Sequence, residues 1–195
     1  TGNNSALAVT PAALTVTADD ASKIYGETPT LTGFTSSGLQ NGETIGSVTE
    51  ASTGTSATAN VGSYAIGAGN ATGGTFDANN YTITYANGSL AVTPATLTYT
   101  ADTASRTYGA ANPAFSGTLT GFVNGETLAT ATTGTLGWTT PATNTSNVGS
   151  YAVDGGGLAA NNGNYVFAQA AGNNSALAPT PAALTVTASD ASKIY

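Results

Sequence analysis

Histidine and cysteine, which most often supply general bases, activated nucleophiles and transition-metal ligands, are both missing from this 195-residue chain. Its remaining chemistry rests on ten carboxylates, three cations, nine tyrosines and one tryptophan. A carboxylate-based glycosidase needs two acids about 5 to 10 Å apart. The best-matched pair, Glu43 and Glu126, occupies equivalent places in two copies of one sequence pattern. Such a pair belongs to different domains, too far apart to share a substrate, so no catalytic residues and no enzyme activity are expected. Asp19, Asp20, Asp77 and Asp154, with nearby Asn, offer oxygen ligands, and Ca2+ between domains would stiffen their join. Their spacing fits neither an EF-hand nor a nonapeptide loop, and Asp in Gly-rich turns more often caps backbone amides. No cofactor is therefore expected, with junction calcium the one open exception.

Four other features stand out. Tyr25-Gly26 and Tyr108-Gly109 recur in register, which reads as core packing followed by a tight turn. Lys23 and Arg106, two residues before those tyrosines, read as solvated strand residues. Trp138 lies in GTLGWTTPATNTS, within the segment between NGET and NVGSY that is four residues longer in the second copy than in the first. It is read either as an exposed aromatic on an extended loop, where it could touch glycan or a partner, or as a residue buried at a domain junction. Sequons at Asn3, Asn70, Asn80, Asn87, Asn144 and Asn173 are what an Asn/Thr/Ser-rich chain contains by chance, and no modification is read from them.

Three basic residues against ten acidic ones, a net charge of −7, cannot assemble a nucleic-acid footprint or a polybasic membrane patch. Without cysteine there is no disulfide framework or cysteine-based zinc site, and its absence suits export and a reducing cytosol equally. Apolar runs stay far below the roughly 18 residues of a membrane span, and no basic region opens a signal peptide. An anchor or export signal is therefore expected elsewhere in the parent protein.

The elements that must position these residues come in copies. LAVTPAALTVTADDASKIYG begins at Leu7, LAVTPATLTYTADTASRTYG at Leu90 and LAPTPAALTVTASDASKIY at Leu177, offsets of 83 and 87 residues. NGET recurs at Asn41 and Asn124, and NVGSY at Asn60 and Asn147. The chain therefore divides into 1–10, the tail of a preceding repeat; 11–93 and 94–180, two β domains; and 181–195, the start of another. Residues 1–25 differ from 171–195 only at Thr1/Ala171, Val9/Pro179 and Asp19/Ser189. That near-identity suggests recent duplication of a two-domain unit within a long array.

Each repeat reads as all β. Leu14, Val16 and Ala18 alternate with threonines, as do Leu97, Tyr99 and Ala101, and Tyr81, Ile83 and Tyr85. Further strands are expected near Lys23–Tyr25, Thr30–Phe34, Thr44–Val48, Ser63–Ala68 and Ser89–Thr93, with turns at Asn41-Gly42 and Asn87-Gly88. Six or seven short strands suggest a sandwich. In NVGSY, a Gly two residues before Tyr64 or Tyr151 matches the tyrosine corner of immunoglobulin-like sandwiches. The expected architecture is thus tandem small immunoglobulin-like β-sandwiches, head to tail as a rod, with β-grasp-like mixed-sheet domains as the alternative. The joins at Thr10-Pro11 and Thr93-Pro94 leave no linker, and each domain would be on the order of 35 to 40 Å long.

Taken in order, TADDASKIYG and TADTASRTYG, the Gly-Phe and NGET segments, NVGSY, and NYTITYANGSLAVTPA or NYVFAQAAGNNSALAPTPA resemble the MBG domain family. These are YGX-type, Gly-rich repeats of large bacterial exoproteins, often beside filamentous-haemagglutinin-type secretion domains. The second repeat departs at Asn164–Ala170, where strand alternation weakens. The resemblance implies a stalk or adhesion module of a secreted, surface-bound protein with no catalytic residues to carry over. The expected function is a structural stalk or biofilm-matrix fibre holding an adhesive tip away from a bacterial cell. Its partners would be neighbouring repeats, other fibres or surface glycans. A carbohydrate- or protein-binding module and a self-assembling extracellular filament subunit are the two alternatives.

Overall fold

A computed structural model describes residues 7–195. The Asn3 sequon and most of the 1–10 tail lie outside the described residues. The chain forms two compact units that interleave along the sequence. The first, within the described residues, takes 7–95 together with 122–131 and 160–166, and the second takes 96–121, 132–159 and 167–195.

Seven strands build most of the first unit: β1 (Ala12–Ala18), β2 (Ala21–Ile24), β3 (Phe34–Ser37), β4 (Ile45–Ala51), β5 (Gly62–Gly74), β6 (Tyr81–Ala86) and β7 (Gly88–Thr93). In β1, period two turns Leu14, Val16 and Ala18 inward, at 2% exposure or less, and leaves the threonines between them on the other face. One sheet has the order β3-β1-β6 and the other β2-β7-β5-β4. β1 runs antiparallel to β3 and parallel to β6, and β2 runs parallel to β7. The first strand pair of the repeat is thus zipped in parallel to the last.

This pairing corrects one turn assignment. Asn87-Gly88 closes no hairpin; β6 and β7 do not pair, and the chain bends there from one sheet into the other. β1 and β2 bend at the matching place, where Asp20 accepts the Ser89 amide at 2.7 Å. A Cβ on Gly88 would lie 2.5 Å from the Asp19 carbonyl oxygen, so the two bends touch only because that residue is Gly. The expected strand at Thr30–Phe34 also starts later, with β3 beginning at Phe34.

Two clusters among the described residues belong to the core of this unit. Leu14, Val16, Ala71 and Tyr81 meet Phe34, Ile45, Phe76 and Ile83 in one. Ala18, Ile66 and Leu90 meet Leu31 and Tyr64 in the other.

The second repeat contributes β8 (Ala95–Ala101), β9 (Ala104–Thr107), β10 (Gly117–Thr120), a single helical turn α1 (Leu128–Ala131), β11 (Thr132–Thr139), β12 (Asp154–Ala160), β13 (Tyr165–Gln169) and β14 (Leu177–Thr180). β10 is antiparallel to β8, and β14 is parallel to β9. Ala142, Val153, Ala176 and Leu177 form the core of the second unit with Phe115, Trp138 and Tyr151 around them. The segment with weakened alternation forms β13, and Asn173, 1% exposed, ties down its end. That amide donates to the Tyr99 carbonyl (3.1 Å) and to Gln169 (2.8 Å) and accepts from the Ala101 amide (2.8 Å).

The described fold is therefore all β apart from α1, with mixed sheets. Immunoglobulin-type sandwiches are built from antiparallel sheets, and the parallel β1-β6 and β2-β7 pairings depart from that pattern.

Candidate functional site

Asn41 and Gly42 both take positive φ (55° and 72°), which only Gly and, at some cost, Asn adopt readily. The Glu43 amide closes this turn on the Gln40 carbonyl at 2.9 Å. Tyr81, which starts β6, reaches under the turn: its hydroxyl accepts the Gln40 amide at 2.9 Å and donates to the Glu43 carboxylate at 2.5 Å. One phenol thus ties both ends of the turn. The hydrogen bond to Glu43 is also the main reason that the Tyr81 hydroxyl holds its proton above the ordinary range.

The second repeat makes the same device and adds to it. Asn124 and Gly125 have φ of 55° and 71°, and the Glu126 amide closes on Val123 at 2.9 Å. Tyr165 accepts the Val123 amide at 3.1 Å and donates to Glu126 Oε2. The other carboxylate oxygen, Oε1, accepts the hydroxyl of Tyr25 at 3.0 Å. All of these residues belong to the first compact unit. The Tyr25 ring meets that of Tyr165 edge-on, with centroids 5.5 Å apart, and Phe122 meets Tyr165 at 6.1 Å. Burial and the Glu126 bond push the Tyr165 hydroxyl up to about 12, and burial chiefly raises Tyr25.

Around this double clamp, Asn124 Nδ2 donates to the Ala57 carbonyl at 3.0 Å. Asn164, 4% exposed, donates to Asn60 Oδ1 at 2.9 Å and accepts the Val61 amide at 3.0 Å. A Cβ on Gly26, where φ is +97°, would lie 2.7 Å from the Val123 side chain. Tyr25-Gly26 is therefore a plug, seated on a receptor built from the NGET turn and the start of β13. It is a contact of ring packing and phenol-to-carboxylate hydrogen bonds within the first unit.

The MBG domain (YGX type) profile matches residues 14–91 and again 97–174. The chain belongs to the MBG domain family. No curated protein and no solved structure matches it. The family is typical of extracellular repeat proteins, and no helix among the described residues is long and apolar enough to cross a membrane.

Within the MBG repeats, the two Tyr-Gly pairs differ in environment. Tyr25 is 4% exposed, whereas Tyr108 is 44% exposed, and a Cβ on Gly109 would meet nothing within 4 Å. Tyr64 and Tyr151 each donate to a carbonyl four residues upstream, that of Asn60 at 2.8 Å and of Asn147 at 3.0 Å. Such a bond back to upstream backbone is what fixes a tyrosine corner. Trp138 lies on strand β11 rather than on a loop, half-buried against its own unit. Its ring meets Tyr99 edge-on at 6.0 Å, and a Cβ on Gly117 would strike it at 2.4 Å.

Lys23 and Arg106 overturn the expectation of solvated strand residues, since they are 4% and 6% exposed. Lys23 Nζ donates to the carbonyls of Glu27 (3.0 Å) and Ser56. Arg106 spreads its guanidinium over Asn112 Oδ1 (2.7 Å) and the carbonyls of Thr143 and Asn144. Each cation thus holds the loop just upstream of the NVGSY segment. Desolvation lowers the Lys23 pKa, with Glu27 opposing it. Period two carried the missed signal, since Lys23 shares its strand face with Tyr25.

The acidic residues considered for calcium are partly engaged. Asp20 receives the Ser89 amide, and Asp77 receives the Asn79 amide at 3.0 Å as a turn cap. Among the described residues, no group of three or more His, Cys, Asp or Glu side chains could hold a metal ion.

Proposed function

We propose that this pair of MBG repeats is a stalk segment of a bacterial surface adhesin or matrix fibre, whose task is to keep successive repeats in a fixed mutual register. The observation that carries the reading is the seating of Tyr25-Gly26, from the first repeat, on Glu126 and Tyr165, from the second, inside one compact unit. A flexible string of domains would not share a core-like contact of this kind across a repeat boundary. Support also comes from the immediate passage of β7 through Pro94 into β8, and from a surface carried by Thr, Ser and Asn rather than by charge.

The glycan-binding alternative has less behind it. The cleft beside the NGET turn of the first repeat, about 460 Å³, has Tyr81 as the only aromatic among its lining residues, and that ring is 7% exposed. A sugar site would need an exposed ring face for stacking.

Small-angle X-ray scattering on the chain, with and without calcium and with chelator, tests the stalk. A compact globule of 195 residues has a radius of gyration near 16 Å, by the usual size scaling. A clearly larger radius, unchanged by chelator, is expected. A radius at the compact value would defeat the stalk reading, and a large radius only with calcium would place the stiffness in a metal site.

A further inference from the structure

The plug and the receptor each occur twice in the sequence, yet only one of each is used. Tyr25-Gly26 sits on Glu126 and Tyr165, while the receptor of the first repeat and the plug of the second have no such occupant among the described residues. The receptor counterparts are Gln40, Asn41, Glu43, Asn80 and Tyr81, and they line the 460 Å³ cleft. The plug counterparts are Tyr108, Gly109, the Asn144 carbonyl, Asn147 and Val148.

From this we infer that the Glu43–Tyr81 cleft is a docking site for the Tyr108-Gly109 turn of a second copy of this chain. The inference rests on the stalk reading for its purpose but not for its geometry.

The two surfaces repeat the polar groups of the occupied contact, with Leu39 and Gln40 standing where that contact has Phe122 and Val123. The Glu43 turn and Tyr81 hydroxyl are already set as in the seated receptor, with the same backbone signs at Asn41-Gly42 and Asn124-Gly125. Glu43 Oε2 is bonded to Tyr81, as Glu126 Oε2 is to Tyr165, which leaves Oε1 of Glu43 as the acceptor for a second phenol. Asn80 precedes Tyr81 as Asn164 precedes Tyr165; it is exposed, whereas Asn164 is buried between Asn60 and Val61. The plug side is arranged in the same way. The Gly109 amide holds the Asn144 carbonyl at 3.1 Å, as the Gly26 amide holds that of Ala57 at 3.1 Å. Val148, the counterpart of Val61, is 53% exposed, and Tyr108 is 44% exposed.

Docking disturbs no packed core. The segments flanking the two surfaces are already open, with Leu7, Val9, Leu184 and Val186 at 86 to 90% exposure. Because plug and receptor are different patches of one chain, the contact is heterologous, and copies can add head to tail without closing.

Sedimentation velocity across a concentration series, up to about 1 mM to cover weak contacts, reads the inference directly. The wild-type chain is expected to associate progressively. Tyr108→Ala removes the plug and Glu43→Ala the receptor, and each alone should weaken association roughly tenfold or more, as loss of a hydrogen bond to a charged group does. Mixed in equal amounts, the two variants retain one plug and one receptor between them, so they should form a heterodimer and stop there. Asn80→Ala, at an exposed position, is a second receptor variant should Glu43→Ala lose its fold by circular dichroism. A wild-type chain that stays monomeric throughout, or variants that associate as strongly as wild type, would overturn the inference. A monomer with an extended scattering profile would defeat docking alone, and an associating chain with compact copies would defeat only the stalk.

Discussion

Glu50 carries one carboxylate oxygen, Oε1, out of water with no hydrogen-bond partner among the described residues. Burial and the nearby Asp19 charge raise its pKa above the ordinary range, against the pull of the Gly33 amide. A carboxyl whose folded pKa is raised favours folding while protonated, and that advantage is lost as the pH rises through the folded value. At neutral pH the charge is therefore a burden. Glu50→Gln should stabilise the protein at pH 7, by on the order of 1 kcal/mol at most because the side chain is partly exposed, and so raise its melting temperature. The gain should vanish below about pH 4, where the acid is protonated in both states. Thermal melts of the two proteins at both pH values check this; equal melts at pH 7 would contradict it. Glu43 and Glu126, unlike Glu50, each accept a phenol hydroxyl.

The element that matters most is the Tyr-Gly turn after β2 and after β9. Its sequence is the same in both repeats, but its surroundings are not. Gly26→Ala would put a methyl carbon into Val123 at a φ of +97°, and should destabilise the protein by about 1 to 3 kcal/mol through the combined backbone and steric terms. Gly109→Ala meets open space and carries only the backbone term, on the order of 1 kcal/mol. Denaturant melts of the two variants should therefore differ, with Gly26→Ala the weaker protein. Equal losses would mean that the Gly26–Val123 approach relaxes without cost. The bends between β1 and β2 and between β6 and β7 belong to this scale as well, because parallel pairing needs both strand pairs to change sheet together.

At the scale of the molecule, the compact units do not follow the sequence repeats. The first unit includes 122–131 and 160–166, which the sequence places in the second repeat. A chain cut after Ala95 would keep β1 to β7 and lose the receptor for Tyr25. Losing that burial and the Glu126 bond should lower its melting temperature by at least about 5 °C relative to the same unit in the intact chain. Hydrogen exchange of the β2 and β7 amides, compared between the cut and full chains, provides the local readout. Equal protection would show that the first repeat is complete without its neighbour's turn.

The sequence by itself determined the all-β character, the two-fold repetition and the family. Strand alternation and repeated turn residues are local signals, written in neighbouring positions. It also singled out Tyr25, Gly26, Tyr108 and Gly109 as a repeated motif and NGET as a marker. What only the tertiary structure decided was which copies meet. Parallel pairing of the first strands with the last, burial of Lys23 and Arg106 over loop carbonyls, and the grip of Tyr25 on Glu126 join residues tens to a hundred positions apart. No local pattern encodes such partners, because the shared markers Tyr-Gly, NGET and NVGSY present the same side chains in both repeats. Their different fates follow from the neighbour that each one faces.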